Sequence, residues 1–119
     1  MIVFERGVSA LALILAALAG EPGDARAFEV TAARYRFEPS VLEVAEGDRV
    51  VLTLRSLDTT HGIKIPAFGV EAEIPKGGAP VTVEFVAAKP GTHRFECSEY
   101  CGSGHRQMKG RLVVAARSR

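Results

Sequence analysis

Four side chains suited to soft metal ions lie within twelve positions of one short stretch, CSEYCGSGHRQM. They are Cys97, Cys101, His105 and Met108, and the chain has no other cysteine. Thiolate and imidazole groups bind zinc, and thiolate together with thioether selects copper. The spacing therefore indicates a metal site, although other uses of the two cysteines must be considered.

A disulfide between the two cysteines is the first alternative. A chain exported to an oxidising compartment can form one, and two cysteines make an even count. The bond would close a loop with only three intervening residues, which constrains the unfolded chain little. It would also leave His105 and Met108 without a role, so the neighbouring residues count against it.

Zinc and copper are the other two alternatives. A zinc set of two cysteines and two histidines is available in Cys97, Cys101, His105 and the distant His61. That set does not use Met108, whereas thiolate and thioether together select copper. A mononuclear blue-copper site needs one cysteine, two histidines and a weak axial methionine, and Cys97 would then remain. A second thiolate in that place could bridge to a second copper ion.

The elements that must position these residues have the period-two pattern of β-strands. Runs rich in Val, Thr, Phe and Leu, separated by turn residues, occupy 28–40, 41–56, 81–97 and 110–116. No stretch after residue 28 sustains a helical apolar face. We predict an all-β protein, a small antiparallel Greek-key β-sandwich of about seven strands. Stretches 57–79 and 97–109 lack clear alternation and are predicted to be loops, where sites are usually built.

The N-terminal segment has the order of a secretory signal peptide. Arg6 precedes an apolar run over about 8–19, and the small-residue pattern Ala-Arg-Ala stands at 25–27. The run is shorter than the roughly 20 residues of a membrane span, the alternative being an uncleaved anchor. We predict a signal peptide at 1–27, one domain at 28–119, and a periplasmic or otherwise extracytoplasmic location.

Charge and composition argue against several classes of function. Residues 28–119 hold 13 Lys and Arg against 11 Asp and Glu, a mild net charge of +2. The sequence has no basic run interleaved with aromatic residues, so it gives no reason to expect a nucleic-acid partner. No Ser-His-Asp set or carboxylate pair stands out, so we do not expect an enzyme by itself. A thioredoxin-like oxidoreductase or chaperone would need βαβ units, which the pattern does not show.

Residues 97–108 resemble the CuA motif of cytochrome c oxidase subunit II, which also occurs in nitrous oxide reductase. The likeness extends through 56–66, 37–39 and 46–48, and it covers most of residues 28–116. The resemblance implies a cupredoxin β-sandwich with a binuclear copper centre. In that family the centre stores one electron over both ions and passes it from cytochrome c towards haem.

By this resemblance, six residues would bind two copper ions: His61, Cys97, Glu99, Cys101, His105 and Met108. The cysteines would bridge the two ions, and each histidine would bind one of them. The methionine would be a weak axial ligand of one copper. Glu99 would offer its backbone carbonyl to the other, so its side chain is not an expected ligand. The implied partner is a redox protein, such as a cytochrome c or a terminal reductase or oxidase.

Two departures from the family keep a second hypothesis open. The chain has no tryptophan, and the aromatic segment linked in the family to electron entry from cytochrome c corresponds to 33–37. Subunit II is normally anchored in the membrane, whereas we expect the N-terminal segment to be cleaved. The second hypothesis is a periplasmic copper-binding protein for copper storage, delivery or assembly of another cuproenzyme, with a copper chaperone as partner.

Other residues of the region have simpler interpretations. His93 alternates with Phe95 before Cys97 and is predicted to be a strand residue rather than a ligand. Tyr100 is predicted to cover the site. Arg106 and Lys109 are predicted to be solvated, and a basic rim beside copper would favour an acidic partner surface.

Overall fold

The computed structural model describes residues 24–117 as a β-sandwich with two single-turn 3-10 helices. The strands are β1 (Ala25–Ala33), β2 (Arg36–Glu38), β3 (Val41–Ala45), β4 (Arg49–Ser56), β5 (His61–Ile65), β6 (Val70–Ile74), β7 (Val81–Val86), β8 (Gly91–Glu96) and β9 (Lys109–Ala115). The 3-10 turns are Pro66–Phe68 and His105–Gln107. One sheet has the order β2-β1-β4-β7, and the other has the order β3-β9-β8-β5-β6.

The core lies between the two sheets. Alternate residues of β4, namely Val50, Leu52 and Leu54, are fully buried, as the period-two pattern requires. Phe37 of one sheet meets Phe95 of the other edge to face, with ring centroids 5.2 Å apart. Burial of these side chains holds the sheets together. The predicted all-β sandwich is therefore confirmed.

The described residues contain nine strands rather than about seven, and part of one predicted loop was wrong. β5 and β6 both lie within 57–79. β5 has five residues, HGIKI, and only Ile63 and Ile65 among them are apolar. A segment with two apolar positions is too short for the period-two pattern to stand out.

The pairing is also not wholly antiparallel. β1 runs parallel to β4, and β3 runs parallel to β9. After β2 the chain crosses to the other sheet to form β3 and then returns as β4. Because that return is a crossover and not a hairpin, β4 lies beside β1 in the same direction.

Most of the predicted signal peptide lies outside the described residues. Its last residues are described, and Ala25–Ala27 begin β1, where they pair with Arg49–Val51 of β4. The cleavage site at residue 27 stays a prediction. Within residues 24–117, no helix is long and apolar enough to cross a membrane.

Candidate metal centre

Two segments at one end of the sandwich supply the candidate ligands. His61 is the first residue of β5, and Cys97 directly follows β8, its neighbour in the sheet. Stretch 97–108 is a loop, as predicted, apart from its single 3-10 turn. A backbone hydrogen bond from Cys97 N–H to the Met108 carbonyl, 3.1 Å, closes it. His61 therefore reaches the loop across the sheet.

The structure brings all six predicted residues together through short contacts of the expected atoms. The two sulfur atoms of Cys97 and Cys101 are 3.6 Å apart and not bonded to each other. Each sulfur atom has two further contacts. Cys97 Sγ lies 4.0 Å from His61 Nδ1 and 3.1 Å from the carbonyl oxygen of Glu99. Cys101 Sγ lies 3.7 Å from His105 Nδ1 and 3.8 Å from Met108 Sδ. Donor atoms of His61, Cys97 and Cys101 lie within 4.8 Å of one another.

The site is largely buried. Cys97 and Cys101 are 6% and 5% exposed, and His61 and Met108 are 0% exposed. Only His105 among the side-chain donors is half-buried. Burial, together with the hydrogen bond and charge of Cys97, raises the pKa of the Cys101 thiol to about 11. Metal binding must therefore displace the proton of the Cys101 thiol.

Asp58 fixes the orientation of His61. Its Oδ1 accepts a hydrogen bond from His61 Nε2, 2.7 Å, which leaves the lone pair of Nδ1 facing Cys97. The other oxygen accepts from Arg34 N–H at 2.8 Å. Partial burial raises the pKa of Asp58, but the hydrogen bonds from Arg34 and His61 outweigh it and lower the pKa to about 2. The carboxylate is thus available to hold the ring at neutral pH.

The turn between β1 and β2 packs against the loop that carries the candidate ligands, residues 97–108, here called the ligand loop. Arg34 Nε donates to the Cys101 carbonyl at 2.9 Å. The ring of Tyr35 packs so closely on Gly102 and Gly104 that a Cβ at either glycine would overlap it. The close approach fixes the loop against the sandwich.

Sequence reasoning missed Asp58 and Arg34. The first had a weak signal, because it stands three residues before a predicted histidine ligand. Arg34 had none, since its contact spans 67 positions of the chain.

The remaining predictions concern residues around the site. His93 lies in β8, where its Nε2 contacts the Lys89 carbonyl at 2.9 Å and its ring packs on Phe68, so its assignment as a strand residue is confirmed. Tyr100 is 76% exposed, with its ring centroid 5.6 Å from that of His105, and so covers only one side of that ring.

Comparison with known proteins agrees with this geometry. Residues 7–114 match the family of cupredoxin-like domains. The chain is a cupredoxin. Cytochrome c oxidase subunit 2 of Thermus thermophilus is 33% identical over 85 residues, which are 71% of this chain and 62% of that protein. Nitrous-oxide reductase of Stutzerimonas stutzeri is 38% identical over 76 residues, 60% of this chain and 12% of that enzyme. The cupredoxin thus spans less than two thirds of either relative.

Solved structures share the fold. The periplasmic domain of cytochrome oxidase subunit II of Bradyrhizobium japonicum superposes with a TM-score of 0.71 at 21% identity, over 80% of this chain and 87% of that one. Auracyanin of Roseiflexus castenholzii gives 0.64 at 20% identity, over 78% and 99%. The resemblance to the CuA domain of subunit II, made from the motif, is confirmed at the level of family and fold.

The donor set of this cupredoxin fits copper. His61, Cys97 and Cys101 form a buried site of one imidazole and two thiol groups, and the thioether of Met108 adjoins it. A tetrahedral zinc site would be complete without the thioether, whereas copper accepts it as a weak ligand.

Proposed function

We propose that this cupredoxin is a one-electron carrier with a binuclear CuA-type centre. The observation that carries the proposal is the pair of buried sulfur atoms 3.6 Å apart, with an imidazole Nδ1 beside each. A mononuclear blue-copper site uses one thiolate and would leave the second buried cysteine without a role. Two copper ions bound there would supply a single redox change shared between them.

The proposed roles follow the contacts. Cys97 and Cys101 would hold both ions, while His61 and His105 would each hold one. The Met108 thioether and the Glu99 backbone carbonyl would complete the set as weak ligands. The carbonyl oxygen of Glu99 lies 3.1 Å from Cys97 Sγ, so this ligand would come from the backbone and would not require the Glu99 side chain.

A rigid, closed site suits electron transfer. The donors come from a loop closed by its own hydrogen bond and from a strand in the middle of a sheet. Ligands held in this way move little when the charge of the centre changes, so little reorganisation opposes the electron. If all six donors bind the two ions, no coordination position remains for a substrate, which suits a carrier better than a catalyst.

We propose a redox protein as the partner, such as a cytochrome c or a terminal oxidase or reductase, and an extracytoplasmic location. The relatives that support this are an oxidase subunit and a reductase, and one structural neighbour is a periplasmic domain. The pattern of residues 1–27 points to export independently.

The deciding measurement is copper stoichiometry together with an electron paramagnetic resonance spectrum. The protein is reduced, loaded with copper and oxidised by one electron. We expect two copper ions per chain and one unpaired electron shared by two copper nuclei. Cys97→Ser should abolish the shared-electron spectrum, while the neighbouring Ser98→Ala should retain it. One copper per chain, with a spectrum unchanged in Cys97→Ser, would overturn the proposal.

Copper storage or delivery is the second candidate function. It is favoured by one observation: a surface groove reaches both Cys97 and His105, which would give an acceptor access to the metal. Loaded protein is mixed with an apo-acceptor of copper and, separately, with cytochrome c. Rapid copper transfer without electron exchange would favour delivery, and rapid electron exchange with retained copper would favour the carrier.

A further inference from the structure

Two adjoining grooves lie on the outer face of the five-stranded sheet, beside the candidate centre. The first has a volume of about 440 Å³ and contains Cys97 and His105 in its lining. The second, about 400 Å³, shares Arg94 and Lys109 with the first. Together they are lined by five basic residues, Lys64, Arg94, Arg106, Lys109 and Arg111, and by one acidic residue, Glu96. We call this surface the basic grooves.

The positive charge here is only partly neutralised. Glu96 is 3.3 Å from Arg94 and stands opposite Lys109 in the register of β8 and β9. Lys64 is balanced by its neighbours in the sheet, because it pairs with Glu96 on one side and Glu71 on the other. Because Glu96 is one negative charge beside the three cations Arg94, Lys109 and Lys64, an excess of positive charge remains in the basic grooves.

One pairing is unfavourable for the folded domain itself. Arg94 stands directly opposite Arg111 across the two strands. Like charges in that position destabilise a sheet. Both residues are exposed, and the side chain of Arg94 is 60% exposed. The two arginines weaken the sheet, but they concentrate positive charge beside the candidate ligands Cys97 and His105. Binding of a negatively charged partner at this surface would explain the arrangement.

We propose that the basic grooves dock an acidic face of the redox partner, an inference that rests on the proposed function. Carboxylates of the partner would pair with Arg94, Arg111 and the neighbouring cations. His105, the partly exposed donor, lies in the same groove and so faces the docked protein. One electron then moves between the partner and the copper centre, and no bond is made or broken.

A protein fits this surface better than an anionic membrane does. The grooves converge on Cys97 and His105, so an occupant with its own redox centre would use the position of the metal site. A lipid surface would cover the same donors and separate them from any partner. Charge complementarity also accelerates the encounter of two proteins, which matters for a carrier that must bind and leave quickly.

The test compares two double variants with the same change of charge. Arg94→Gln with Arg111→Gln removes two cations from the basic grooves. Arg49→Gln with Arg55→Gln removes two exposed cations from β4, in the other sheet. All proteins are loaded with copper, and their spectra are recorded first. Reduced plant-type [2Fe–2S] ferredoxin serves as the acidic donor in stopped-flow measurements.

We expect the second-order rate constant at low ionic strength to fall about 5-fold or more in the groove variant and less than about 2-fold in the control. The difference should disappear at high salt, because screening removes the attraction. Equal effects of the two variants, or no effect of either, would overturn the docking proposal. Hexaammineruthenium(II), a cationic reductant, should not lose rate with the groove variant.

A vesicle experiment decides between a protein and a membrane as the occupant. Sedimentation is measured with vesicles of phosphatidylcholine alone and with phosphatidylserine added. Binding to anionic vesicles that the groove variant loses, with unchanged ferredoxin rates, would overturn the proposal in favour of lipid. If the copper spectra are unchanged and the rate constants with ferredoxin do not depend on the groove residues, the docking proposal fails and the proposed function stands. If the wild-type protein never holds two copper ions, the proposed function fails, and the docking proposal fails with it.

Discussion

Asp58 decides which nitrogen of His61 faces the candidate copper site. Its carboxylate accepts the Nε2 proton at 2.7 Å, so Nδ1 carries the lone pair on the side of Cys97. Such partners fix the tautomer and direction of a metal-binding histidine. Asp58 therefore acts on the site by positioning His61 and not by coordinating the metal itself.

Asp58→Asn should weaken copper binding by about 10- to 100-fold, because the amide holds the imidazole less firmly than the carboxylate does. Competition with a copper chelator measures the affinity. Glu71→Gln, an exposed carboxylate of β6, is the control with the same loss of charge. Equal affinities for the two variants would mean that Asp58 has no positioning role.

Glu99→Gln should leave copper content and the electron paramagnetic resonance spectrum unchanged. The contact of this residue with the site is through its backbone carbonyl, 3.1 Å from Cys97 Sγ, while the residue is otherwise exposed. A loss of one copper ion in this variant would show that the side chain binds the metal.

At the scale of elements, the ligand loop depends on the turn between β1 and β2. Gly102 and Gly104 both lie against the ring of Tyr35. Gly102 also has a backbone φ of +139°, which disfavours any side chain, whereas Gly104 has a φ of −94° that alanine adopts without strain. The absence of a side chain at Gly104 is therefore required by packing alone.

Gly104→Ala should lower the free energy of unfolding of the reduced, metal-free protein by roughly 1–3 kcal/mol, because the new methyl group overlaps the ring. Urea unfolding measures this effect. The loss should be clearly smaller when the substitution is made in a Tyr35→Ala background, where the ring is absent. Equal losses in both backgrounds would place the strain somewhere other than Tyr35.

At the scale of the whole molecule, a buried carboxylate joins the beginning and the end of the described chain. Asp48 is 1% exposed and lies 3.6 Å from the guanidinium of Arg26 and 2.9 Å from that of Arg117. It also accepts the backbone N–H of Asp24 at 3.3 Å. Residues 24–27 are thus part of the folded sandwich.

This arrangement gives a prediction about the mature N-terminus. A chain that starts at Phe28 lacks the three residues that pair with β4 and the ion pair of Arg26, so it should be less stable than a chain that starts at Asp24 by about 2 kcal/mol. Chemical unfolding of the two purified proteins measures the difference. Mass spectrometry of the exported protein shows which start is used, and equal stabilities would leave residue 28 as an acceptable start.

Features that depend on neighbouring residues could be predicted from the amino-acid sequence. The twelve positions from Cys97 to Met108 already hold most of the donor set, because one closed loop carries it. Period-two alternation in β4 predicted a sandwich, since one face of that strand is buried and the other is not. These signals are local, and local signals can be read without knowing the fold.

Features that depend on pairings between distant segments could not be predicted in this way and are seen only in the folded structure. β5 was missed because its five residues hold only two apolar positions, and its pairing with β6 and β8 is what defines it as a strand. The parallel pairing of β1 with β4 depends on a crossover between sheets. The support given by Arg34 to Cys101 crosses 67 positions, and the opposition of Arg94 and Arg111 follows from strand register. No local pattern encodes these relations, because they arise only when burial of the core brings separate segments together.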